Sequence, residues 1–106
     1  MKVIYNSLIP FKGFSAINLF GVIFARKEYK ELSQRVLNHE AIHTAQMKEM
    51  LYIFFYLWYL VEWFIKLFRY GRKAYGKISF EREAYTYQYD YTYLRRRKHF
   101  AWWRRV

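Results

Sequence analysis

The chain contains no cysteine. That excludes a disulfide framework and thiolate metal ligands, so any bound metal must be held by His, Glu, Asp or water. Proline occurs once, at Pro10, and glycine only four times, which leaves few turn signals across 106 residues. Acidic residues are scarce as well: eight Asp and Glu stand against 19 Lys and Arg, for a formal charge of +11. This balance points to an anionic partner, membrane phospholipid or nucleic acid, without choosing between them. No signal peptide is visible either, because Met1 and Lys2 lead into mixed residues through Pro10 and Lys12 with no apolar stretch or small-residue cleavage site. The default expectation is a cytoplasmic protein, and the length sets a single domain, residues 1–106.

What the chain does have is aromatic side chains, 25% of all residues, with 12 Tyr, 10 Phe and 4 Trp. Amphipathic rings combined with basic side chains suit a protein resting on a bilayer surface. Residues 51–68 are apolar on nearly every side. Eighteen such residues approach the length of a transmembrane helix, yet Glu62 and Lys66 interrupt them, and a buried or interfacial helix is the preferred reading. Glu62 there is expected to neutralise a buried Lys or Arg.

The most informative stretch is His39-Glu40-Ala41-Ile42-His43, an H-E-x-x-H string inside a run that reads as helix over residues 32–50. At about 100° per residue, His39 and His43 lie one turn apart on a face shared with Leu32, Val36, Met47 and Met50. Two imidazoles on one helical face with a neighbouring carboxylate are the core of a zinc-activated water site. A third protein ligand is needed. Downstream of His43 the acidic choices are Glu49, which lies off the histidine face, Glu62, Glu81, Glu83 and Asp90. Glu81 and Glu83 are the candidates that remain.

Before the motif, residues 3–9 and 14–26 read as strands joined by a turn at Pro10-Phe11-Lys12-Gly13, a β-hairpin over residues 1–26 with Gly21 marking a bulge or close backbone approach. An extended strand just ahead of the histidine helix could pair with a peptide by edge addition. After the apolar segment comes a glycine-bounded basic loop, residues 71–76, and Ser79 followed by acidic residues reads as a helix start. Tyr85, Tyr87, Tyr89, Tyr91 and Tyr93 fall at period two, which taken alone argues for a strand. The tail is basic and aromatic. Its Arg95, Arg96, Arg97, Lys98, Trp102 and Trp103 are the candidates for contact with anionic lipid headgroups.

His39-Glu40-Ala41-Ile42-His43 followed by Thr44-Ala45-Gln46, and then Glu81-Arg82-Glu83-Ala84, resemble the H-E-x-x-H and E-x-x-A elements of gluzincin zinc metallopeptidases. The likeness is greatest to small uncharacterised bacterial proteins of about this length and covers most of the chain. It implies an α+β fold of minimal zincin type: the hairpin, the histidine helix over 32–50, an aromatic helix over 51–69, and a ligand-bearing helix over 79–98 with the basic tail. Period two in the tyrosines is overridden in this reading because Glu81 must sit on a helix. The resemblance further implies zinc held by His39, His43 and Glu81, with Glu83 as substitute, and Glu40 as the base that takes a proton from bound water before attack on a peptide carbonyl. Where many gluzincins carry an Asp four residues after the ligand Glu, this chain has Tyr85, so the partner that orients a histidine is not supplied by the motif.

That ligand set constrains the path of the chain. A continuous helix from His43 to Phe68 would rise about 37 Å, and thirteen residues reach about 43 Å at full extension, so Glu81 could return only with almost no slack. A bend or break near residues 47–52, or an early end to the aromatic helix, is therefore expected, though no Gly or Pro marks it. The expected partners are a peptide or protein substrate and an anionic membrane surface. A non-catalytic zinc-binding or membrane-binding protein is the alternative, and nucleic-acid binding ranks last for want of any recognisable module.

Overall fold

The fold is that of a computed structural model, which describes residues 2–9, 15–29 and 32–106. It is α+β, a small sheet followed by helices. Strands β1 (Val3–Asn6), β2 (Ala16–Leu19) and β3 (Val22–Arg26) form one sheet in the order β1-β3-β2. The hairpin differs from the expected one. It lies within residues 16–26, where β2 and β3 run antiparallel, while β1 joins β3 in parallel. Gly21 makes the turn and not a bulge, with φ of 53° at Phe20 and 89° at Gly21, both in the left-handed region that two-residue hairpin turns demand. The turn predicted at residues 10–13 lies outside the described residues.

Helix α1 (Gln34–Glu49) starts at Ser33, whose side chain accepts from the Val36 backbone N–H. The expected bend follows it. The chain turns by 109° between α1 and the helical run that begins at Ile53. Without glycine or proline, the elbow is built from Leu51 (φ 52°) and Tyr52 (φ 60°, ψ −59°), and the Ile53 N–H donates back to the Leu51 carbonyl at 2.6 Å. That is a γ-turn of the rare strained hand, and such strain persists only where packing over-determines it. Here the Phe20 ring lies 6.3 Å from Tyr52 and 5.1 Å from Tyr56, and Tyr56 Oη accepts from the Phe20 N–H.

Helix α2 (Ile53–Tyr70) carries the aromatic run. The loop expected after it is helical: a 3-10 turn over Gly71–Lys73, then the single turn α3 (Ala74–Lys77). Helix α4 (Ser79–Tyr87) brings Glu81 back. Glu62 of α2 stands where a helix cap would, accepting from the Ser79 N–H at 2.6 Å and pairing with Lys66 at 2.6 Å, a cation of the kind it was expected to neutralise. Met47, Phe55, Ile78, Phe80 and Trp102 form the larger apolar core, and Ile42, Ala84 and Tyr93 a smaller one.

The helix predicted over residues 79–98 stops at Tyr87. Asn38 of α1 donates to the carbonyls of Tyr87, Gln88 and Asp90, which satisfies the helix end and lets the chain turn into a further short helix, α5 (Tyr93–Arg96). Period two in the tyrosines yields no strand either. Tyr87 and Tyr93 stack face to face across this turn at 3.8 Å.

Candidate metal centre and its cleft

His39 and His43 project from α1 into the interior, both nearly inaccessible to solvent. From α4, close to its capped start, Glu81 meets them. The Glu81 Oε1 atom lies 3.2 Å from His39 Nε2 and 3.1 Å from His43 Nε2, and the two Nε2 atoms are 3.1 Å apart. One donor atom from each residue falls within 4.8 Å of the others, so this buried group can hold a metal ion. Glu83, the alternative third ligand, points elsewhere, toward Gln46, Tyr93 and Arg97.

Each ligand is held by a second residue. His43 Nδ1 meets Gln46 Oε1 at 2.7 Å, and His39 Nδ1 meets Gln88 Oε1 at 2.9 Å. An acceptor at Nδ1 fixes the tautomer that leaves Nε2 free to bind a metal. Gln46 is itself held, since its Nε2 donates to the Phe80 carbonyl and to Glu83 Oε1 at 3.0 Å each. Glu83 is locked in turn by Arg97, which also pairs with Glu49. The other oxygen of Glu81 accepts from Tyr59 Oη at 2.8 Å. Tyr85 sets its ring edge-on to His39 at 4.6 Å.

Sequence reasoning missed Gln46, Gln88 and Tyr59. A signal existed for two of them: Gln46 lies three residues after His43 and Gln88 seven after Glu81, each on the ligand's own helical face.

The electrostatics follow from burial and neighbours. Burial alone would push the His43 imidazole down, but the charge and hydrogen bond of Glu81 outweigh it and raise His43 to about 9. Burial likewise pushes Glu81 up, and the two histidines with Tyr59 reverse this, leaving it well below the usual carboxylate range. Glu40 behaves differently. Burial raises its carboxyl, and the opposing pull of His43 and His39 does not cancel that. Tyr59 and Tyr75 are driven far up, first by burial and then by the charge of Glu81, so both remain O–H donors at any working pH.

A cleft of about 760 Å³ opens onto this cluster. Glu40, His43 and Glu81 lie on its floor with Tyr59, Tyr75 and Tyr85, while all four residues of β2 form one wall. Asn18 of β2 fixes that wall to α1 by donating to the Glu40 carbonyl at 3.0 Å and to Thr44 Oγ1 at 2.9 Å. Because β3 occupies one side of β2, its other edge has no strand beside it among the described residues.

The basic tail divides. Lys98, Arg95 and Trp103 are exposed and Arg96 pairs with Asp90, whereas Arg97 is drawn inward by Glu83 and Glu49 and Trp102 is buried against Phe80 at 4.7 Å. Those last two are therefore not surface contacts, because two carboxylates and an aromatic core claim them.

The chain matches no family model, no curated protein and no solved structure. Any functional reading rests on the motif and this geometry.

Proposed function

We propose that the chain is a zinc-dependent peptide hydrolase of gluzincin type, with His39, His43 and Glu81 as metal ligands and Glu40 as general base. The observation that carries this reading is the triangle of donor atoms with sides of 3.1, 3.1 and 3.2 Å, of which His43 and Glu81 line a cleft and His39 lies behind them. A tetrahedral ion about 2.0 to 2.1 Å from each ligand holds those atoms about 3.3 to 3.4 Å apart, so the group fits zinc with an expansion of a few tenths of an ångström. Two imidazoles and one carboxylate are also a donor set found in catalytic zinc sites, with a fourth position left open. Zinc held there would acidify a bound water and polarise a carbonyl oxygen.

The chain's own residues account for the rest. Glu40, its carboxyl raised above its ordinary value by burial, lines the cleft beside His43 and Glu81, where a base can accept a proton and return it to a leaving amine. Tyr75 lines the cleft and can donate its O–H to a carbonyl oxygen on which charge develops. The edge of β2 that has no strand beside it among the described residues offers backbone groups to an extended peptide, apart from the Asn18 carbonyl that accepts from Tyr56 Oη. The apolar side chains of Ile17 and Leu19 on the cleft wall suit apolar residues of that peptide.

Peptide hydrolysis by zinc-loaded protein tests the reading. Glu40→Gln should retain one zinc per chain and lose about 100-fold to 10,000-fold in rate. The second reading is a non-catalytic zinc-binding protein, favoured by the satisfied hydrogen bonding of both imidazoles. It predicts the same zinc content and no turnover in either protein.

A further inference from the structure

Helix α2 is inverted relative to a helix of a soluble domain. Its inward face carries Phe55 and Tyr59 but also Glu62 and Lys66, joined in an ion pair. Its outward face carries Ile53, Leu57, Leu60, Phe64 and Phe68, each between 53% and 79% exposed. The spacing of these five is i, i+4, i+7, i+11 and i+15, one continuous stripe, and no polar residue falls on it. A stripe this long and this apolar requires a cover, because soluble monomers rarely expose such a patch.

The surrounding charge says what covers it. Among the described acidic residues, Glu28, Glu49, Glu62 and Asp90 are paired with Lys or Arg, Glu81 and Glu83 are buried, and Glu40 lies on the cleft floor. The exposed charge left over is basic. Arg69, Arg72 and Lys73 stand at the far end of α2 and Lys48 just before its start. Exposed Trp103, its ring 5.8 Å from Trp58, extends the flank of the helix and is followed by exposed Arg104. Basic ends around an apolar stripe with an adjoining tryptophan match an anionic lipid interface. No single helix among the described residues is long and apolar enough to cross a membrane. With Glu62 and Lys66 on its inner face and an apolar stripe on its outer one, α2 has the two-sided character of a helix lying along the surface.

We propose that the outer face of α2 docks this protein in the plane of an anionic bilayer. The inner face of the same helix, through Phe55 and Tyr59, lines the cleft, which sets the metal centre about one helix diameter from the lipid boundary. The proposal stands whether or not the centre is catalytic.

Flotation of the full chain with vesicles tests it. Phosphatidylcholine vesicles containing phosphatidylglycerol should carry the protein to the top of the gradient, and phosphatidylcholine alone should carry about tenfold less or weaker still, as should high salt. Leu57→Glu with Phe64→Glu should lower partition at least about tenfold at unchanged circular dichroism. Arg72→Glu with Lys73→Glu should weaken binding to the anionic vesicles only. Because the chain has no cysteine, single nitroxide labels can be set at Ile53→Cys, Leu57→Cys, Phe64→Cys and Phe68→Cys. Equal depth at all four supports an in-plane helix, and a steady gradient over about 22 Å means a span and overturns the placement. Failure of the folded wild type to float, or equal flotation of the Leu57→Glu and Phe64→Glu protein, overturns the proposal. So does a dimer in solution that those substitutions break while neither protein floats, which would make a second copy the cover.

Discussion

Glu62 and Glu81 are two glutamates of nearly equal burial, 5% and 4% exposed, in adjoining helices, yet they do opposite things. Glu62 is closed. Its two oxygens accept from Lys66, Trp58, the Ser79 N–H and the Ser79 hydroxyl, so every direction is taken by a fixed donor within the fold. Glu81 has one oxygen fixed by Tyr59, while the other faces two imidazoles whose own far nitrogens are held by glutamines. A buried carboxylate can serve as a ligand where its partners can exchange a proton for a metal, and is a structural strut where they cannot.

The sharpest break between the two is in metal content. His43→Ala and Glu81→Ala should each bring zinc below one per chain at micromolar metal, read by elemental analysis, while Glu62→Ala should leave it at one. Stability inverts the order. Glu62→Ala takes the carboxylate from the Lys66 ammonium, leaving it only the Lys77 carbonyl, and uncaps α4, and urea unfolding should register a loss of about 3 kcal/mol. If that variant also loses its zinc, the two carboxylates are not independent.

A smaller effect tests the holders of the imidazoles. Gln46→Ala and Gln88→Ala should each lower zinc affinity about 10-fold to 100-fold without changing stoichiometry, and competition with a chelator measures it. Smallest is the pH dependence. In the metal-free chain His43 titrates at about 9, above its ordinary value, so below that pH metal entry must displace its proton. Apparent affinity should therefore climb by up to about tenfold per pH unit as pH rises toward 9 and level off above it. Calorimetry in buffers of different ionisation enthalpy reads the released proton. No proton release at pH 7 would mean the imidazole is already neutral.

The histidine helix and its break were readable because periodicity, motif spacing and chain length all act locally or as simple reach. The distance argument asked for a bend near residues 47–52 or an early end to the aromatic helix, and Leu51 and Tyr52 supply the bend without glycine, at a cost in backbone strain that no propensity scale would assign to them. That Glu62 meets a cation was legible because a carboxylate in an apolar helix is buried only when paired, while its partner Lys66, four residues on, is named by the fold. The parallel pairing of β1 was not, since register across a sheet depends on long-range packing and the expected turn drew attention to the wrong connection. Nor was the end of α4 at Tyr87, because the group that stops it is Asn38, some fifty residues earlier. Arg97 shows the same limit. In the sequence it belongs to a basic run, and only the fold reveals two carboxylates waiting for it.

His43 and Glu81 are separated by 38 positions along the chain. An ion gripped by both is a cross-link as well as a chemical centre, and closing a loop of that size removes freedom from the unfolded chain on the order of 4 kcal/mol in a chain-entropy treatment. In a domain of 106 residues that is a large share of the whole margin of stability. If the site is loaded, withdrawal of its ion would let α4 breathe away from α1, and protease nicking between residues 71 and 78 would become a gauge of metal supply.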